Sequence, residues 1–299
     1  MNRRFLPVLL ALIIILSAFA ACSKREEEDA SEIADDKPTV SAPAIITSDD
    51  KETIGGNTPD FRSLVAEMHG QNDHTVGWLY IPGVEIEDVV VHNPEDNRYY
   101  LRRNFERERA FHGVLYADRR SVFGDGSRDQ IGVNTCIYGH ALTDDPEHKN
   151  YPIFFGPLHD FRDPDVAQTI PYIFFSTESD YLAYEVFAVF VVNADNADVP
   201  YNFEPEDAEK FIEMVREEIL PRSIYNYNTE IKDDDKFITL STCIYILDDG
   251  SPTNYPDTFY RYVVMGRLLD PNEPLKDMAD FTINENPLVD RDGKMASAA

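Results

Sequence analysis

Phe237-Ile238-Thr239-Leu240-Ser241-Thr242-Cys243 reads as a β-strand. Side chains alternate along a strand, so Ile238 and Leu240 share one face, while Phe237, Thr239, Ser241 and Cys243 share the other. The strand closes on a cysteine on its more polar side, a good place for an accessible thiol. A free cysteine is more often a buried, inert one, so this strand alone leaves both readings open.

Two further stretches carry chemistry-bearing residues. Asn134-Thr135-Cys136-Ile137-Tyr138-Gly139-His140 is a strand ending in Gly-His, and a histidine at a strand terminus can reach the end of a neighbouring strand. One histidine among seven carries little weight by itself. Tyr260-Arg261-Tyr262-Val263-Val264-Met265-Gly266-Arg267 is a third strand. Arg261 and Arg267 have the same parity and face one side, about 20 Å apart at roughly 3.3 Å per residue. Only one of them can serve a given site, and an arginine on a strand usually sits on a solvated face.

Outward from these, the strands span 133–140, 236–243 and 259–268, and turn residues separate shorter β-like runs at 77–81, 85–91, 113–116, 172–176 and 184–192. Two helices interrupt them. Asp60 caps a short one whose apolar positions Phe61, Leu64, Val65 and Met68 fall at helical spacing. The other covers 205–220. Pro205 sits in its first turn, and Ala208, Phe211, Ile212, Val215 and Ile219 form one apolar stripe. Many short strands with few helices predict a mostly β, single domain over 60–269, a closed or nearly closed barrel with helical decorations. Residues 270–299 lack a strong pattern and read as a loosely attached tail.

The N-terminus is a separate unit. Arg3 and Arg4 precede an uncharged apolar run over 5–21, which suits an export signal or a membrane anchor. The run ends Phe19-Ala20-Ala21-Cys22, which resembles a lipoprotein cleavage box with Phe where Leu is usual; Cys22 would then be the lipidated first residue. Either way the charge bias predicts that the rest lies on the extracellular face of the cytoplasmic membrane. Residues 23–59, rich in Glu, Asp, Ser, Thr, Pro and Lys, read as a disordered acidic tether. With 55 acidic against 27 basic residues, the chain is a poor match for nucleic acid, whose phosphates need Lys and Arg.

Thr-Leu-Ser-Thr-Cys, an upstream Tyr-Gly-His strand and a downstream Arg-Tyr-Val-Val strand, in that order and each at a strand, resemble the sortase active site. Thr75-Val76-Gly77-Trp78-Leu79-Tyr80-Ile81-Pro82, Tyr99-Tyr100-Leu101, Gly113 and Asp118-Arg119-Arg120 extend the resemblance over about 60–269. The two helices resemble class B. Ala141 departs from that branch, which often has Asn there, and the segment between Ile244 and Tyr260 carries its own loop beside the expected groove. The resemblance implies a sortase-type closed barrel of about eight strands and a cysteine transpeptidase. Cys243 would be the nucleophile, His140 the acid/base and Arg261 the oxyanion stabiliser, with Ser241 and Thr242 lining the groove. The partners implied are a sorting-signal peptide of surface proteins, cleaved after Thr through a thioacyl-enzyme, and an amine acceptor of peptidoglycan or pilin. No metal or cofactor is implied. Cys136 reads as an inert core residue; a disulfide to Cys243 would disable the thiol and so would be regulatory. The rival readings are a cysteine hydrolase that uses water, and a non-catalytic surface lipoprotein.

Overall fold

The computed structural model describes residues 52–54, 58–141, 154–193, 201, 208–244 and 260–288. The apolar N-terminal run, Cys22 and most of the expected tether lie outside the described residues, as does 245–259. Among the described residues no helix is long and apolar enough to cross a membrane.

A hairpin of β1 (Glu52–Ile54) and β2 (Thr58–Asp60) leads into helix α1 (Arg62–Gln71). The end of the stretch read as a tether is thus paired backbone. Asp60 accepts from the Arg62 amide at 3.0 Å, and Phe61, Leu64, Val65 and Met68 are all buried. The Phe61 ring lies 5.8 Å from Trp78 and 5.6 Å from Tyr80, which fixes the helix against the next strand.

The strands that follow are β3 (Thr75–Ile81), β4 (Ile86–His92), β5 (Tyr116–Ala117), β6 (Asn134–Tyr138), β7 (Tyr172–Ser176) and β8 (Tyr181–Asn193). After them come β9 (Tyr225–Tyr227), β10 (Phe237–Ile244), β11 (Tyr260–Leu268) and β12 (Phe281–Ile283). Eight of these close into a barrel in the order β10-β11-β8-β7-β3-β4-β5-β6. Two of its pairings are parallel, β4 with β5 and β6 with β10, and the second joins strands far apart in sequence. Alternation sorts the two faces as the sequence predicts. Ile238, Leu240, Tyr262 and Val264 join Leu79, Ile81, Val90 and Ile137 in one apolar cluster that fills the barrel. Phe237, Val263 and Met265 point the other way. They pack with Phe187 and Phe190 under Phe211, Ile212, Val215 and Ile219, the stripe of the expected second helix.

That helix is described from Ala208. It runs as α-helix to Met214, loosens to π-type turns over Val215–Ile219 and ends in Leu220–Arg222. Pro221 has no N–H to close the usual ladder, which gives a physical reason for the loosening.

The tail differs from the expectation. Beyond residue 269 the chain is docked as far as Leu288: β12 pairs with β9, Phe281 lies 4.4 Å from Tyr225 and 5.1 Å from Tyr227, and the Leu288 amide donates to Pro221 at 2.7 Å. A three-residue strand leaves no periodicity to read. Strand β5 is also shorter than the run expected at 113–116. Gly113 instead takes φ +63°, with the Tyr100 carbonyl oxygen 2.7 Å from where a Cβ would stand.

Candidate active site

Strands β10 and β11 run antiparallel with Cys243 directly opposite Arg261. Opposed residues share a face, their Cβ atoms roughly 4.5–5.5 Å apart. That face is the outer one, away from Ile244 and Tyr262 in the barrel core. Cys243 and Arg261 are both half-buried, and Arg261 Nη1 donates to the Tyr260 carbonyl at 3.1 Å. Arg267, of the same parity, stands opposite Phe237. It is buried and paired with Glu185 at 3.1 Å and Glu273 at 2.6 Å. Register thus separates two arginines that parity could not.

On the other side of β10, the parallel seam sets Ser241 level with Tyr138. The pairing continues for one more residue: the Gly139 amide donates to the Ser241 carbonyl at 3.3 Å, and Thr242 Oγ1 donates to the Gly139 carbonyl at 2.8 Å. His140 and Cys243 each lie two residues beyond the last paired positions, Tyr138 and Ser241. Cys243 thus faces Arg261 across one ladder, and His140 follows the paired stretch of β6 at the same end of β10.

His140 is held by its surroundings. Its Nε2 lies 3.1 Å from the Leu101 carbonyl, and its own carbonyl accepts from the Phe155 amide at 3.1 Å. Burial pushes the imidazole below the usual histidine range. The Leu101 carbonyl opposes this, and Arg102, His112 and Arg261 add to it. Gly139 is required by close approach, because a Cβ there would sit 2.6 Å from Leu115 Cδ2 and 2.7 Å from Phe155 Cγ.

Ser241 and Thr242, expected in the groove wall, present almost no surface at 1% and 2% exposure. Their hydroxyls are engaged with the Tyr201 hydroxyl at 3.1 Å and the Gly139 carbonyl. They fasten the strand. Cys136 is level with Thr239, four residues short of Cys243, or about 13 Å along the strand. That exceeds the roughly 7 Å limit between Cα atoms for a disulfide, and both thiols are free. Burial holds the Cys136 thiol well above its ordinary range.

Sequence reasoning missed several supporting residues. Asp118 is fully buried and accepts from Arg120 at 2.7 and 2.8 Å and from the Tyr138 hydroxyl at 2.8 Å. Burial would raise its carboxyl, but these donors hold it below the usual range. Tyr116 lies 5.3 Å from Tyr138, ring to ring. Its phenol is raised first by burial and then by Cys136 and Cys243, with Arg261 opposing.

His159, on the 3₁₀ helix Gly156–Arg162, has Nε2 3.1 Å from the Cys243 carbonyl. A carbonyl only accepts, so Nε2 carries the proton. In the parallel ladder the next carbonyl after that of Ser241 to face β6 is that of Cys243. The pairing ends after Gly139, and an imidazole takes the missing donor's place. No local pattern marks His159; only the separation of the two strands calls for it.

No protein-family model matches the chain. Its sequence is 31% identical over 206 residues to Sortase B of Listeria monocytogenes, covering 68% of this chain and 75% of that protein. The fold resembles solved sortase B structures. That of Clostridium perfringens has a TM-score of 0.54 at 22% identity, covering 69% of this chain and 99% of the other. That of Listeria monocytogenes has 0.52 at 25%, covering 68% and 99%. A sortase B–substrate complex from Staphylococcus aureus has 0.55 at 22%, covering 70% and 85%. The expected barrel of eight strands is the architecture found. The chain belongs to the sortase B family and is a cysteine transpeptidase.

Proposed function

We propose that Cys243 is the nucleophile, His140 the acid/base and Arg261 the oxyanion partner of a reaction that cuts a sorting signal after Thr and passes the acyl group to an amine. The observation that supports this is the register: Cys243 faces Arg261 across one ladder, and the parallel ladder of β6 with β10 ends just before His140 and Cys243. Sulfur attacks the carbonyl carbon, a C–S bond forms and the C–N bond breaks, leaving a thioacyl-enzyme. His140 delivers the proton to the departing amine and takes one from the incoming amine. Arg261 supplies N–H donors to the developing oxyanion, where loss of one donor typically costs about 10²- to 10³-fold in rate. A thiolate also forms more readily beside a cation.

The acceptor is an amine of peptidoglycan or pilin. The chain acts on the extracellular face of the cytoplasmic membrane, held there by its N-terminal apolar segment, with Cys22 as a lipidation point. The test is to incubate the full chain with a sorting-signal peptide and a free amine and to weigh the products. Transfer product that grows with amine and vanishes in Cys243→Ala supports the reading. Hydrolysed peptide alone at every amine concentration sinks it in favour of a hydrolase, and unchanged turnover in Cys243→Ala sinks any role for the thiol.

A further inference from the structure

We infer that Arg102 is a positioning residue for this reaction, a cation clamped against Nε2 of His140 that biases the imidazole toward its neutral form. The inference rests on the role of His140 proposed above.

Nε2 of His140 has two neighbours that ask opposite things of it. The Leu101 carbonyl, at 3.1 Å, requires a proton on Nε2; Arg102 Nη1, at 3.3 Å, can only donate. With the proton on Nε2 serving the carbonyl, the guanidinium faces another N–H and gains nothing from the ring. It stays because it is anchored elsewhere. Nη1 donates to the Phe111 carbonyl at 2.6 Å, and the guanidinium carbon lies 4.4 Å from the centre of the Phe111 ring.

Leu101 and Arg102 belong to one 3₁₀ turn, Tyr99–Arg102. That turn is itself fastened, because the Tyr100 hydroxyl lies 3.0 Å from both Asn72 Nδ2 and His74 Nδ1, and the Ala110 amide donates to the Arg102 carbonyl at 3.0 Å. One rigid turn therefore offers the ring an acceptor for its first proton and a positive charge against its second. Among the described residues, His112 and Arg261 from β11 also act on His140, both in the same direction as Arg102. The neutral imidazole is then favoured, with His140 ready to accept a proton.

The test separates charge from shape. Arg102→Gln keeps a donor for the Phe111 carbonyl and removes the charge, whereas Arg102→Lys keeps the charge. His140 is titrated by NMR in the full chain with labelled histidine, its signal identified by loss in His140→Asn. Arg102→Gln should raise the midpoint by about half a pH unit or more, because a like charge within roughly 4–6 Å disfavours the charged form. Arg102→Lys should stay within about 0.2. An unchanged midpoint in Arg102→Gln overturns the inference. Should that variant misfold, salt decides in the unmodified chain: the midpoint should rise as salt screens Arg102, and a flat or falling response overturns the inference. The titration needs no turnover. Failure of the catalytic reading would show separately, as full transfer activity in His140→Asn.

Discussion

Gly139→Ala tests how tightly His140 is held. A Cβ at this position would stand 2.6 Å from Leu115 Cδ2, and 2.7 and 2.8 Å from Phe155 Cγ and Cδ2. These lie roughly 0.6–0.8 Å inside the 3.4 Å at which ordinary contact begins. The tip of Leu115 can turn aside at small cost. Phe155 cannot, because Cγ is the root of a fully buried ring and the Phe155 amide is bonded to the His140 carbonyl. Relief has to come from the backbone of 139–140 or of Phe155. Overpacking of this kind costs about 1–3 kcal/mol. The shift also carries His140 away from the Leu101 carbonyl, and a misplacement near 1 Å can cost about 10²-fold in rate. Urea unfolding and kcat for transfer should therefore both suffer, with kcat falling more than the stability loss explains at temperatures where the variant is folded. A variant with an unchanged unfolding midpoint and unchanged kcat would refute the close-approach argument.

His159→Leu should lower both kcat and stability, because it leaves the half-buried Cys243 carbonyl without its donor, at about 1–3 kcal/mol. His159→Gln, which restores an N–H, should recover most of the loss in a urea titration and a transfer assay, and equal losses in the two variants would contradict the role. Asp88 is half-buried, and desolvation pushes its carboxyl up from 3.8 to about 7, with Glu87 adding and the Val89 amide opposing. A carboxyl raised on folding binds more protons in the native state, so its cost to stability grows as pH rises from about 4 to about 7. Asp88→Asn should stabilise by on the order of 1–2 kcal/mol at pH 8 and by almost nothing near pH 4, as read by denaturant melts at both pH values. Truncation after Asp270 removes β12 and also takes Glu273 and Lys276 from the buried Arg267–Glu185 group. The melting temperature should fall by at least about 5 °C; an unchanged melt would restore the reading of a loose tail.

Long strands and the amphipathic helix were legible because each carries its own signal. The run from Phe237 to Cys243 shows its two faces by alternation, and the stripe of Phe211, Ile212, Val215 and Ile219 shows its buried side by spacing. Arg261 and Arg267 show where such reading stops. They are equivalent by parity, and only the ladder, which sets one opposite Cys243 and the other opposite Phe237, separates their roles. Ser241 and Thr242 show the same limit. A hydroxyl near a reactive thiol looks available until the neighbouring strand and Tyr201 are known to engage it. The docked tail, the 3₁₀ turn bearing Leu101 and Arg102, and His159 are too short or too distant in sequence to leave a pattern.

Chain direction brings three strand termini to one rim. In a parallel pair both strands run the same way, so β6 and β10 both end at the same rim of the barrel. Their last residues, with the continuation to His140, arrive there together: an imidazole from one and a thiol from the other. Strand β11 is antiparallel to β10, so it begins where β10 ends, and its second residue, Arg261, falls opposite Cys243. One residue just past a strand end, one near a strand end and one near a strand start is therefore the arrangement that a parallel seam with an antiparallel neighbour brings to one rim. It also places the seam under functional constraint. Antiparallel neighbours such as β7 and β8 are close in sequence, whereas the β6–β10 pair forms only when two distant stretches are brought together. The thiol and imidazole share a site only in a chain whose barrel has closed.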